Sequence, residues 1–272
     1  MPMFAILDVF SGTPNPAWPI DDDLAQRMTA LGNTESTPPA LGYRGIKIVE
    51  TAAAAAAGAA TEDALGAYTQ SVVIFASADA EKELLGVGVT AGAVNADLAA
   101  FVSQSLGGPA LVASRGVSVA GACPPCGGNN APAYDPAYWN DPSRQLVNNC
   151  YAYANNNATG TFPQPGRGSG QIFTSLDCAG VGAASVRDGL VTTNTFAACR
   201  DGWYAALVIW PGQDYHWYRQ DTAGCWSHKP GQTPARNVDN SGAAIADPQQ
   251  CDRGPYTVFC TYMVTNASVT IA

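Results

Sequence analysis

The chain has 272 residues with a formal net charge of −9, 47% hydrophobic and 13% charged residues. That size leaves room for two domains with their own cores, and the composition is that of a folded chain rather than a disordered one. Its acidity and lack of any Lys/Arg cluster exclude nucleic acid and anionic membrane surfaces as natural partners.

The N-terminal run MPMFAILDVFSGTPNPAW carries no basic n-region, and no apolar run reaches the roughly 20 residues that span a bilayer. The sequence therefore predicts a protein that is cytoplasmic or exported by a signal-less route. MFAILDVF predicts a strand and SGTPNPAW a turn-rich loop. PIDDDLAQRMTALG predicts a helix, with aspartates at the positive end of its dipole and Gly32 as its stop. YRGIKIVE and SVVIFAS predict strands on either side of the Ala-rich stretch 52–60, which reads as helical, and NADLAAFVSQSLG predicts a second helix ended by Gly107. Residues 1–115 thus read as a small two-layer α+β accessory domain. They hold 5 basic and 12 acidic residues, against 8 and 10 in residues 121–272, so most of the net charge sits here.

All eight cysteines (123, 126, 150, 178, 199, 225, 251 and 260) lie beyond residue 120. Four disulfides are possible arithmetically; the missing signal sequence argues against an oxidising destination. Residues 116–133 form a linker rich in Gly, Pro and Cys. Its CPPC pair, Cys123 and Cys126, reads as a local disulfide or, with Cys251 and Cys260, as a weak zinc set, since Pro and Gly surround it where a redox pair needs a strand and a helix. A short helix is expected to start at Cys150, another element near 171–190, and strands in GWYAALVIWPG, DYHWYRQD, GCWSHKPG and PYTVFCTYMVT. The sequons at Asn157 and Asn266 carry no weight without a secretion signal, and QPGRGSGQ matches no phosphate-loop spacing.

The only two histidines, His216 and His228, fall in adjacent expected strands of the region that holds Cys150. A thiol acts as a nucleophile only as the thiolate, favoured at a helix start beside an imidazole. Asn148 or Asn149 would cap that helix, His216 would take the thiol proton, and His228, twelve residues on, would orient His216 if the two strands form a hairpin. Asn237 and Asp239, in the loop beyond, are alternative orienters.

A cysteine at a helix start, followed by a hairpin bearing His and a second polar residue, resembles the papain-like NlpC/P60 cysteine peptidases and their CHAP relatives. Tyr138, twelve residues before Cys150, stands where that family often has an active-site tyrosine, and QPGRGSGQ is similar to its Pro-Arg loop. The resemblance covers roughly residues 134–232. NNCYAY replaces the family's Asp-Cys-Ser-Gly, and bulky Trp217 and Tyr218 follow His216, so the subsites would be built differently. The resemblance implies a papain-like domain over 134–272, an antiparallel sheet packed on a Cys-bearing helix, that hydrolyses peptide or cell-wall stem amides. Cys150, His216 and His228 would be catalytic, with Tyr138 and Asn149 as substrate or oxyanion support and neither metal nor cofactor. Trp139, Tyr151, Tyr153, Trp217, Tyr218 and Trp226 would line its cleft or fill its core. The alternatives are a disulfide-stabilised binding or toxin-like module and a Cys-His acyltransferase.

Overall fold

In the computed structural model, which describes residues 1–32, 40–52, 60–66, 68–74, 77–106, 123, 130–195 and 201–272, β-branched and aromatic runs pair into two antiparallel sheets and helices make the chain α+β. Contacts divide it into two compact units, one of Met1–Val9, Pro14–Pro38 and Gly42–Val112, the other of Phe10–Thr13, Pro39–Leu41 and Ala113–Ala272. The second unit thus takes in four residues from the N-terminal stretch. Of the expected linker 116–133, Cys123 and residues 130–133 are described; most of the Ala-rich stretch, Gly107, Cys126 and Cys199 lie outside the described residues. No described helix is long and apolar enough to cross a membrane.

In the first unit, β1 (Met3–Leu7), β2 (Ala17–Ile20), β3 (Ile46–Thr51) and β4 (Tyr68–Ile74) pair in the order β2-β1-β3-β4. The expected loop and helix start around AWPI form β2 instead. Pro19 is tolerated there because β2 is an edge strand and Pro19 faces outward. Phe4, Ile6, Ala17, Val49 and Leu65 pack together beneath the sheet. Helix α1 (Asp22–Leu31) is capped by Asp21, whose carboxylate accepts the Leu24 N–H, and buries Leu24, Ala25 and Met28. Helix α2 (Ala78–Thr90) was not expected, because Gly86 and Gly88 weaken its pattern. At Gly88 an added Cβ would lie 3.0 Å from the Trp18 ring, so a side chain there would have to push that ring aside. Helix α3 (Ala96–Ser103) follows. A buried ionic cluster joins Asp8 to Arg44 at 2.6 Å and Lys47 at 3.1 Å. Burial alone would raise the Asp8 carboxyl, but the two cations outweigh it and hold it at about 2.

In the second unit, the short helices α4 (Pro136–Trp139), α5 (Pro142–Gln145) and α6 (Cys150–Ala154) lead to α7 (Cys178–Asp188). Strands β5 (Val191–Thr193), β6 (Trp203–Trp210), β7 (Asp214–Gln220), β8 (Trp226–His228) and β9 (Val258–Thr265) form a sheet of order β5-β9-β6-β7-β8, antiparallel throughout. β6 and β7 are buried along their whole length. α6 contributes Cys150, Tyr151 and Ala154 to a core that also holds Leu207, Tyr215 and Trp217. Trp139, Tyr151, Tyr153, Trp217, Tyr218 and Trp226 are all at most 1% exposed, so they fill core and line no open cleft. Disulfides join Cys123 to Cys225 and Cys178 to Cys260. These bonds correct the local-disulfide and zinc readings of the CPPC pair: Cys123 is bonded 102 residues away, Cys260 is consumed, and Cys251 is a free thiol.

Candidate functional site

The hairpin of β7 and β8 sets Tyr218 opposite His228, which places His216, two residues earlier, diagonally on the same face. His216 Nε2 and His228 Nδ1 are 2.9 Å apart, and His228 Nε2 lies 3.1 Å from the Val238 carbonyl oxygen. These contacts fix the tautomers. Burial, followed by the charge of Arg236, pulls His228 down to about 3, so its ring is neutral. A carbonyl only accepts, so His228 Nε2–H donates to Val238 and its Nδ1 accepts from His216 Nε2–H. His216 Nδ1 is then the ring nitrogen that faces away from His228.

The atom against that Nδ1 is the hydroxyl oxygen of Ser11, at 2.5 Å. Ser11 belongs to the four-residue segment Phe10–Thr13, and backbone bonds anchor it. The Asp214 carboxylate at the start of β7 accepts the N–H groups of Ser11, Gly12 and Thr13 at 2.5, 3.1 and 2.8 Å, the Thr13 hydroxyl at 2.9 Å, and the Tyr256 hydroxyl at 2.6 Å. The Gly12 carbonyl oxygen accepts from Asn149 Nδ2, Gln164 Nε2 and the Tyr215 hydroxyl at 2.9, 2.9 and 3.1 Å. Gly12 must be glycine: a Cβ would lie 2.4 Å from the Tyr215 ring. The Gly231 N–H donates to Ser11 Oγ at 3.2 Å.

Cys150 opens α6 as expected, with Asn149 as N-cap accepting the Tyr151 and Ala152 N–H groups. Along β7, alternation sends Tyr215 and Trp217 to the α6 side, where they pack with Cys150, and His216 to the other side, toward Tyr256. The thiol and the imidazole therefore lie on opposite faces of β7, which corrects the expected direct pairing of Cys150 with His216. Burial, and then Asp214, push the Cys150 thiol well above its ordinary value; the Trp217 N–H, the Ser11 hydroxyl and the charge of Lys229 pull the other way without overcoming them. Lys229 is buried, its ammonium donating to the carbonyls of Gln145, Asn148 and Gly231 at 2.6, 2.5 and 2.5 Å, which holds the turn before Cys150 in place.

The structure thus joins Ser11, His216 and His228 in one hydrogen-bonded row, while Cys150 packs with Tyr215 and Trp217 on the other face of β7. The other candidates sit elsewhere or are committed. Asp239 closes its own loop, accepting from Ser241, Ala243 and Asp252, and the Val238 carbonyl rather than Asn237 or Asp239 receives the histidine pair. Asn149 spends its amide hydrogens on Gly12 and Pro163, so it offers none to a substrate oxyanion. Tyr138 is 43% exposed, its ring under the Arg144 guanidinium at 4.1 Å. Sequence reasoning missed Ser11, Gln164, Asp214 and Tyr215. The only local hints are a Ser-Gly pair inside a Pro- and Asn-rich loop and an aspartate opening a wholly buried strand.

Among the described residues, no group of three or more His, Cys, Asp or Glu side chains could hold a metal ion. No protein-family model and no solved structure matches the chain. It is 47% identical over 130 residues, 48% of this chain and 87% of the relative, to insoluble matrix shell protein 1 of Ruditapes philippinarum.

Proposed function

We propose a function for this chain, which belongs to the family of insoluble matrix shell protein 1, from the centre in its second unit: an acyl-transfer hydrolase that cleaves amide bonds of peptides or cell-wall stems. In this reading Cys150 attacks the carbonyl, His216 takes and returns the proton, and His228 holds His216 in its tautomer, as in the papain-like NlpC/P60 peptidases that the sequence resembles. The observation that carries it is the bond from His216 Nε2 to His228 Nδ1, closed on the Val238 carbonyl. In this reading it leaves His216 Nδ1 to act as the base, which is what general-base activation of a nucleophile requires.

A second reading is a non-catalytic, disulfide-stabilised matrix module. Two observations favour it: the relative carries the name of a shell matrix protein, and Ser11, Cys150, His216 and His228 are each 0% exposed. Alkylation of Cys150 by iodoacetamide across pH, with the site located by peptide mapping, separates the two. The hydrolase reading expects alkylation of Cys150 below pH 8 that His216→Ala slows by about 100-fold. A Cys150 that reacts only after unfolding would leave the matrix module as the better account.

A further inference from the structure

We infer that the second unit carries a binding site for a neutral oligosaccharide, in a cleft at the C-terminal end of α6, the helix whose other end is Cys150. The inference goes beyond the hydrolase reading and stands without it.

The cleft opens where α6 runs out beside the start of β6 and the end of β9. It encloses about 630 Å³, inside the range of roughly 300–1,000 Å³ usual for small-ligand sites. Although 13% of the chain is charged, no charged side chain among the described residues lines it. Apart from the Trp203 indole, its polar side chains are asparagines, among them Asn155, Asn156 and Asn157 after the helix and Asn266 after the strand.

Two of these four are spent on the fold. Asn155 is buried, donates to the Tyr151 carbonyl at 2.9 Å and accepts from the Thr265 hydroxyl at 2.6 Å. Asn156, in the left-handed region at φ 49°, ends α6 and accepts from the Arg219 guanidinium at 3.0 Å. The other two keep groups to offer. Asn157 is exposed, and its carboxamide has no partner among the described residues. Asn266 Oδ1 accepts the Ser268 N–H and hydroxyl at 2.8 and 2.5 Å, which leaves its Nδ2 without a partner among the described residues.

The ligand class follows from these groups. A carboxamide presents an acceptor and two donors without charge, so it pairs with a hydroxyl in either sense. Trp203, fixed by its Nε1–H on the Ala154 carbonyl at 2.8 Å, supplies with Ala267 and Val269 an apolar wall for the C–H face of a sugar ring. An anionic ligand would meet no described cation on the wall, and a wholly apolar one would strand the amides. Asn157 and Asn266 also head the sequons Asn-Ala-Thr and Asn-Ala-Ser, so the rival source of sugar at the same amides is a glycan on the chain itself.

The test is isothermal titration calorimetry of the full chain with cellotetraose, maltotetraose and chitotetraose, and with a sulfated heparin tetrasaccharide as the charged control. Wild type is compared with Asn157→Ala and Asn266→Asp; the second variant keeps the oxygen that accepts from Ser268 and removes the unpartnered donor. The expected result is one-to-one binding of at least one neutral tetrasaccharide, weakened about fivefold in each variant, with the sulfated fragment bound no more tightly. Absence of binding by all three neutral probes would overturn the inference, and so would tighter binding of the sulfated one. Affinity unchanged in either variant would place the sugar elsewhere and overturn it as well. Should a variant fail to fold, 1H–15N spectra of the wild type decide: the side-chain amide signals of Asn157 and Asn266 must shift with the sugar, and stationary signals refute the site. Mass spectrometry of the chain from its natural source that finds a glycan on either residue would also refute it, because the nitrogens assigned to a ligand would already be bonded to sugar. None of these outcomes depends on the reactivity of Cys150, so the hydrolase reading stands or falls separately.

Discussion

Lowering the pH from 7 to 4 should destabilise this protein through a single ring, that of His228. In the folded state the ring is sealed between His216 and Val238 and protonates only at about 3, whereas in the unfolded chain it does so near 6.5. Between those values the unfolded state binds one more proton than the native state, so stability is full above 6.5 and falls as the pH drops toward 3. The slope is about 1.4 kcal/mol per pH unit, which by pH 4 amounts to about 3 kcal/mol, a large part of a typical domain's stability. Asp214 and Asp221, both raised by burial, take up protons earlier in the folded state and offset part of the loss. Asp8, held at about 2, adds its own loss only below the ordinary carboxylate range of 3.8. The measurement is urea unfolding followed by tryptophan fluorescence at pH 7, 5.5 and 4, for wild type and for His228→Asn, which has no ring to titrate. The difference between the two slopes isolates His228. Equal slopes for the two proteins would refute the claim that this histidine is buried and neutral.

Two further outcomes test the packing of the second unit. Arg219 is fully buried, pairs with Asp221 at 2.9 Å and lies 4.1 Å over the Tyr153 ring; Arg219→Met leaves that carboxylate buried without its cation. Its cost, read from the urea midpoint, should be about 3–5 kcal/mol. Replacing Cys178 and Cys260 together by serine opens a bond that spans 82 residues, with an expected loss of about 4 kcal/mol. A reducing agent opens this bond and Cys123–Cys225 together, so the wild type should lose at least as much stability on reduction, and a melting curve insensitive to reductant would show that the bond contributes little.

What the sequence discloses here is what neighbouring residues decide. Asp21 and Asn149 are caps because a side chain three or fewer positions ahead of a free N–H can reach it. His216 and His228 meet because a hairpin of buried aromatic strands leaves little freedom of register. The losses are the long-range ones. Nothing local in FSGTP says that Ser11 will lie against a histidine 205 positions away, and eight cysteines allow far more pairings than their spacing can rank. The sequence also cannot tell which face of β7 receives α6. One residue of register decides whether Cys150 looks at Trp217 or at His216, and the heptapeptide DYHWYRQ is aromatic on both sides.

The order β5-β9-β6-β7-β8 has a consequence for how the protein comes into being. The strand at positions 258–265 is not an edge: it separates β5 from β6 and pairs with both. Until β9 is in place, β5 has no partner in the sheet and β6 lacks one of its two neighbours. The sheet that carries His216 and His228 therefore closes only when a strand late in the sequence docks between two that precede it. Assembly of the second unit is expected to be slow, as for folds dominated by distant contacts.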